Sequence, residues 1–201
     1  MCPDTYPGGV MSRIGSLLRA ARRSRNLTQR EVAGRLRIDQ GRVSKAEAAR
    51  ELEYSTIERL LAASGHRLYS APTRRDDVAS AGAALRAHLR NGDRQRALRT
   101  FIQLSDDLAA EQGLVRGVLC LAEPEPTGDP AWDAALAALV ALRLNEERLP
   151  RPHWVDADSR RLSPPRTLAL DAADPLPAQD DVPAEFFDRG VLIWSDTLAS
   201  V

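Results

Sequence analysis

The sequence predicts a mainly α-helical protein in two parts. An N-terminal bundle of short helices occupies residues 11–70, and a helical region over residues 76–201 ends in a proline-rich, irregular tail. Three observations carry this reading. Apolar residues recur at helical spacing from about Met11 to Leu149. Two polar stretches, APTRRDD and EPEPTGDP, interrupt that pattern and read as linkers by composition. Beyond Pro150 the prolines multiply, so long helices are not expected there.

Each element has a local cause. Residues 1–10 hold two prolines and two adjacent glycines and are expected to be disordered. A leading helix then carries Ile14, Leu17, Leu18 and Ala21 on one face. Thr28 followed by Glu31 is a capping box, which starts a second helix with Val32 and Leu36 as its apolar positions. After a tight turn at Arg37-Ile38, Asp39 offers a second N-cap, and a helix runs from Gln40 with Val43 facing inward. In YSTIERLLAASG, Ile57, Leu60 and Leu61 share a face and Gly65 ends the helix. HRLYSAPT, residues 66–73, reads as a short extended exit.

The second region continues in the same manner. Val78, Ala81, Leu85 and Leu89 share a helical face that breaks at Asn91-Gly92. Asp93 can cap the next helix, in which Ala97, Leu98, Phe101, Ile102, Leu104 and Leu108 recur. LVRGVLCLAE adds another apolar segment. Asp129-Pro130 joins an N-cap acceptor to a residue that needs no amide hydrogen, so a helix should start there and end before Pro150. PAEFF and GVLIWSDTL close the chain; periodicity cannot decide whether GVLIW is a strand or a buried helix turn.

Composition narrows the class. With 201 residues there is room for one or two domains, and 43% apolar residues suffice for a buried core. No stretch reaches membrane-spanning length, and MCPDTYPGGVMSR lacks the basic segment and apolar run of a secretion signal. The expectation is a soluble, cytoplasmic protein with no membrane partner. Cys2 and Cys120 are too few for a disulfide framework or a four-cysteine zinc site, and Cys120 reads as a core thiol. The net charge of zero conceals a division. Residues 1–75 carry 15 Lys and Arg against 7 Asp and Glu, a net of +8, while the remainder carries 13 against 21, a net of −8. A basic module facing a polyanion, joined to an acidic module with another task, fits that split.

The strongest local pattern is LTQREVAGRLRIDQGRVSKAE, residues 27–47. Two short helices joined by a tight turn and preceded by a third describe a helix-turn-helix. The residues Leu27-Thr28-Gln29, Val32-Ala33, Ile38, Gln40, Val43-Ser44 and Glu47 resemble the lambda-repressor-like, or XRE, helix-turn-helix family over about residues 12–65. The resemblance implies a bundle of about five short helices with the helix at 40–48 in the major groove of double-stranded DNA. The first part of such a helix points at base edges, and here it displays Gln40, Gly41, Arg42, Ser44 and Lys45. Glutamine pairs bidentately with adenine, and arginine or lysine with guanine. Gln29, at the start of the preceding helix, suits a phosphate, and the resemblance implies that it also supports Gln40. Arg30, Arg35, Arg37 and Arg50 are candidate phosphate ligands, whereas Arg22, Arg23 and Arg25 read as a solvated face. Arg37 stands where the family usually has glycine; if its φ is positive, arginine costs about 1 kcal/mol relative to glycine. Gly41 costs about the same relative to alanine inside a helix, and removes a side chain where the backbone can approach DNA.

Nothing in the second region argues for catalysis. His66, His88 and His153 lack metal-ligand spacing, and no phosphate-cradling glycine loop or GxSxG is present. No enzyme, metal or cofactor is expected. Asp171, Asp174, Asp180 and Asp181 read as a solvated acidic loop. Trp132, Trp154, Trp194, Phe186 and Phe187 read as core anchors. GDPAWDAALAALV, RPHWV and PAEFFDRGVLIW are similar to the C-terminal parts of some XRE-type regulators of bacteria with G+C-rich genomes. The expected function is a sequence-specific transcriptional regulator that binds as a homodimer through the helices at 93–112 and 130–148. Its second region would dimerise, sense a small-molecule effector or bind a protein partner. A DNA-binding antitoxin that neutralises a toxin through its acidic half is the alternative.

Overall fold

The structure is a computed structural model that describes residues 13–68, 73–168 and 175–198. The expected disorder at 1–10, part of the extended exit, and Asp171 and Asp174 lie outside those residues. In the first part, four helices follow one another: α1 (Arg13–Arg23), α2 (Gln29–Leu36), α3 (Gln40–Ala48) and α4 (Tyr54–Ala63). Thr28 closes the expected capping box: Glu31 N–H donates to its Oγ1 at 3.2 Å, and its own N–H donates to Glu31 Oε2 at 2.7 Å. Asp39 caps α3 by accepting the Gly41 N–H at 2.7 Å. Gly65 has φ +73°, the left-handed conformation that ends a helix. The inward faces of these helices, led by Leu18, Val32, Val43, Leu60 and Leu61, make one hydrophobic core.

A separate core gathers the second part around α5 (Val78–Arg90), α6 (Arg94–Ala110), α7 (Gly113–Leu119) and α8 (Pro130–Glu146). Asp93 caps α6 and Asp129 caps α8, each through a main-chain N–H, as their sequence positions predict. From Ala134 to Ala141 every residue of α8 is buried. A helix that is apolar all round becomes the axis of a core. Consequently the middle of α8 has no face left for a second copy, and Ala97, Phe101, Leu104 and Leu108 of α6 are buried in the same core, while Leu98 and Ile102 are half-buried. The dimer contact expected from these two helices is therefore corrected: most of their apolar surface is used within the chain. Large exposed apolar side chains lie elsewhere, with Leu114, Val118 and Leu121 spaced along and just past α7.

The tail contributes short 3₁₀ turns, α9 (Ala184–Phe187), and two residue pairs, β1 (Arg166–Thr167) and β2 (Val191–Leu192), joined in parallel. Within GVLIW, Val191–Leu192 thus resolves as a strand. Four buried arginines tie down this irregular segment and α7. Arg143 donates to Ser105 Oγ at 2.6 Å and to the Leu198 carbonyl at 2.9 Å. Arg189 bonds the Val155 carbonyl and the Asp156 carboxylate, Arg160 bonds the Pro124 carbonyl, and Arg116 bonds three main-chain carbonyls. A guanidinium with five donors satisfies backbone acceptors that no helix or sheet satisfies. Of the aromatics read as core anchors, Trp132, Trp154 and Phe186 are buried, while Phe187 and Trp194 are exposed. Phe101 meets Trp132 and Phe186 edge to face, with ring centroids 6.0 and 6.3 Å away. Burial pushes the Cys120 thiol up to about 12, so it stays protonated as a core residue. Among the described residues no helix is long and apolar enough to cross a membrane.

Candidate nucleic-acid interface

The turn between α2 and α3 determines how the second helix is presented. Arg37 has φ 54° and ψ 44°, a left-handed conformation, so the position does require the positive φ that glycine accommodates best. Its N–H reaches the carbonyls of Ala33 and Gly34, and the Ile38 N–H bonds Ala33 at 3.0 Å, which closes α2 abruptly. Gly41 has a local reason as well. A Cβ there would lie 2.7 Å from Asp39 Oδ1, the oxygen that caps α3. Glycine leaves that carboxylate in place.

Successive residues of α3 turn by about 100°. Val43, Ala46 and Glu47 fall on one side and are buried. Ser44, Lys45 and Ala48 centre the opposite, exposed side, together with the half-exposed Gly41; Gln40 and Arg42 stand exposed on its two flanks. The outward face therefore presents an amide, a guanidinium, a hydroxyl and an ammonium, and no carboxylate. Arg30 on α2, Arg37 in the turn and Arg50 just past α3 are exposed. Arg35 is turned aside: it donates to the Ala63 carbonyl at 2.8 Å, at the C-terminal end of α4 where a cation is favoured.

Behind α3 lies a polar cluster absent from the sequence expectation. The Glu47 side chain is only 4% exposed. It accepts Arg22 Nε at 2.6 Å, Arg22 Nη2 at 3.0 Å and Gln29 Nε2 at 2.9 Å. Arg22 is thus not part of a solvated face; it reaches inward because a buried carboxylate requires a charged partner. It also donates to the Leu27 carbonyl at 2.8 Å, tying the α1–α2 turn to the same cluster. Burial pushes the Glu47 carboxyl up, but hydrogen bonds from Arg22 and Gln29 and the charges of Arg22 and Arg19 outweigh it. The group lies below its ordinary value. Gln29 is accordingly held at the start of α2 with one amide hydrogen engaged by Glu47. A signal for this cluster was present in the sequence: Glu47 shares the inward face of Val43, and Arg22 lies one helical turn after Leu18.

Helix α1 approaches α3 closely enough to exclude any side chain at Gly15. A Cβ there would sit 2.3 Å from the Glu47 carbonyl oxygen and 3.0 Å from its carbon. This position carries no mark in the sequence beyond being a glycine within a helical pattern.

Together, three short helices packed in this way, with the third offering a polar outer face, define a helix-turn-helix DNA-binding domain. Residues 13–66 match the family model of the helix-turn-helix domain, which places this part of the chain in that class and implies DNA binding. The match ends before the second region and lends no support to the resemblance read from residue 128 onward. No curated protein and no solved structure matches the chain.

Proposed function

We propose that the chain is a sequence-specific transcriptional regulator whose α3 enters the major groove. The observation that carries this reading is the division of α3 into a locked inner face and an outer face of Gln40, Gly41, Arg42, Ser44 and Lys45, without an acid. Groups of this kind discriminate bases by paired hydrogen bonds. Arg30, Arg37 and Arg50 would flank the groove on phosphates. Gln29 would add its second amide hydrogen there, since Glu47 engages only one. The net charge of +8 over residues 1–75 supports attraction to DNA. The second region is a non-catalytic part that dimerises or receives an effector or partner in the cytoplasm. A dimer follows from selectivity, because one small helix-turn-helix reads too few base pairs to be specific in a genome.

Selection of duplexes from a random library with the full chain tests this reading. The expected outcome is an enriched inverted repeat with half-site centres about 34 Å apart or a multiple of that. Binding should fall steeply with salt as counterions are released. Recovery of no common sequence would overturn the sequence-specific reading.

A further inference from the structure

The segment EPEPTGDP reads as a linker in the sequence, yet the structure seats it firmly. Pro124 is buried, and a Cβ on Gly82 of α5 would lie 2.7 Å from its side chain. Arg160, itself 3% exposed, donates to the Pro124 carbonyl at 2.7 Å and to Glu123 Oε1 at 3.2 Å. Beyond it, the buried Thr127 donates its N–H to Asp133 of α8 at 2.8 Å. Glu125 is therefore flanked on both sides by residues anchored on the second core. Its own carboxylate points the other way, to Arg19 of α1. The Arg19 side chain is 19% exposed, and so is that of Glu125. Arg19 continues to α3: Nη2 donates to the Glu47 carbonyl at 3.3 Å, and Nε lies 3.8 Å from Glu47 Oε2. That carbonyl is the one against which Gly15 packs.

We propose that Glu125 is a positioning residue for α3. Its carboxylate, fixed by the second core, holds the Arg19 guanidinium against the end of α3, so the second region shares in setting the angle of the DNA-reading helix. The arrangement gives the second region a physical route to DNA affinity. Whatever shifts the seat of residues 123–127 alters the grip on Glu47. The proposal rests on the reading of α3 as the base-reading helix.

The test uses the full chain and the duplex selected by it, with an unrelated duplex of equal length at one salt concentration. Glu125→Gln keeps size and removes charge; Asp180→Asn, at an exposed acid, is the control of equal net charge. Simple electrostatics predicts that losing a negative charge strengthens binding to both duplexes. Positioning predicts the reverse sign on the selected duplex. Glu125→Gln should weaken it about 3- to 10-fold, leave the unrelated duplex unweakened, and speed amide exchange at Ala46–Ala49, while Asp180→Asn does none of these. Selected-duplex affinity at or above wild type in Glu125→Gln would overturn the proposal. Should the wild-type chain select no sequence, the regulator reading fails, and amide exchange alone decides the positioning claim: unchanged protection at Ala46–Ala49 would overturn it.

Discussion

Replacing Glu47 by alanine is expected to destabilise the N-terminal bundle by about 3–5 kcal/mol, the usual cost of removing one partner from a buried ion pair. Three groups lose their acceptor at once: both donating nitrogens of Arg22 and the amide of Gln29. Arg22 is left charged behind Val32 and Val43, with the Leu27 carbonyl as its remaining acceptor. The effect has a readable signature. All three tryptophans lie beyond residue 130, so their fluorescence follows the second core, while helical circular dichroism follows both. In urea, Glu47→Ala should show an early loss of ellipticity that tryptophan fluorescence does not share. The pH dependence has a definite sign. A carboxyl held below its ordinary value of 4.5 contributes stability that is present above that pH and is lost as pH falls through the lower folded value. Wild type should lose this contribution on acidification below pH 4.5, and Glu47→Ala should lack it. Unshifted, coincident transitions in the variant would show that the cluster carries no such load.

Gly15→Ala sets two effects against each other. Helix propensity alone favours alanine by about 1 kcal/mol. The Cβ, however, would meet the Glu47 carbonyl at 2.3 Å, and a backbone oxygen at a helix end cannot rotate away. Helix α1 must then move off α3, and overpacking of this kind costs about 1–3 kcal/mol, occasionally more. The expected net result is a loss of about 1 kcal/mol, with faster amide exchange in α3 and weaker binding to the selected duplex. Thermal and urea denaturation of the two chains give the sign; a more stable Gly15→Ala chain would mean that α1 and α3 are not this close.

Much of the fold was legible because its signals are local. Thr28 with Glu31, Asp39, Asp93 and Asp129-Pro130 each mark a helix start by satisfying an amide a few residues away, and each does so in the structure. On α3, spacing turned Val43 inward and Gln40, Arg42, Ser44 and Lys45 outward, but left the inward Glu47 unread. What escaped were long-range pairings between side chains of ambiguous role. Arg22 reads as surface until Glu47 is seen to be buried beside it. Nothing local marks Arg160 or Arg189, yet both are buried, Arg160 against the Pro124 carbonyl and Arg189 against that of Val155. The alanine- and leucine-rich stretch of α8 read as spare surface for a dimer; it is the centre of the second core because neighbours cover every face. Glu125 sits in a sequence with the composition of a linker, and its contact with Arg19 spans 106 positions that no local pattern connects.

The claim that the outer face of α3 reads bases is tested most directly by affinity, measured at one salt concentration, for the selected duplex and for random DNA. The proteins are the wild-type chain, Gln40→Ala and Arg42→Ala. Both side chains are exposed and outside the inward cluster, so the fold should be retained. Each variant is expected to lose about 1–3 kcal/mol on the selected duplex and much less on random DNA. Equal losses on both duplexes, or none on the selected one, would contradict base reading by α3.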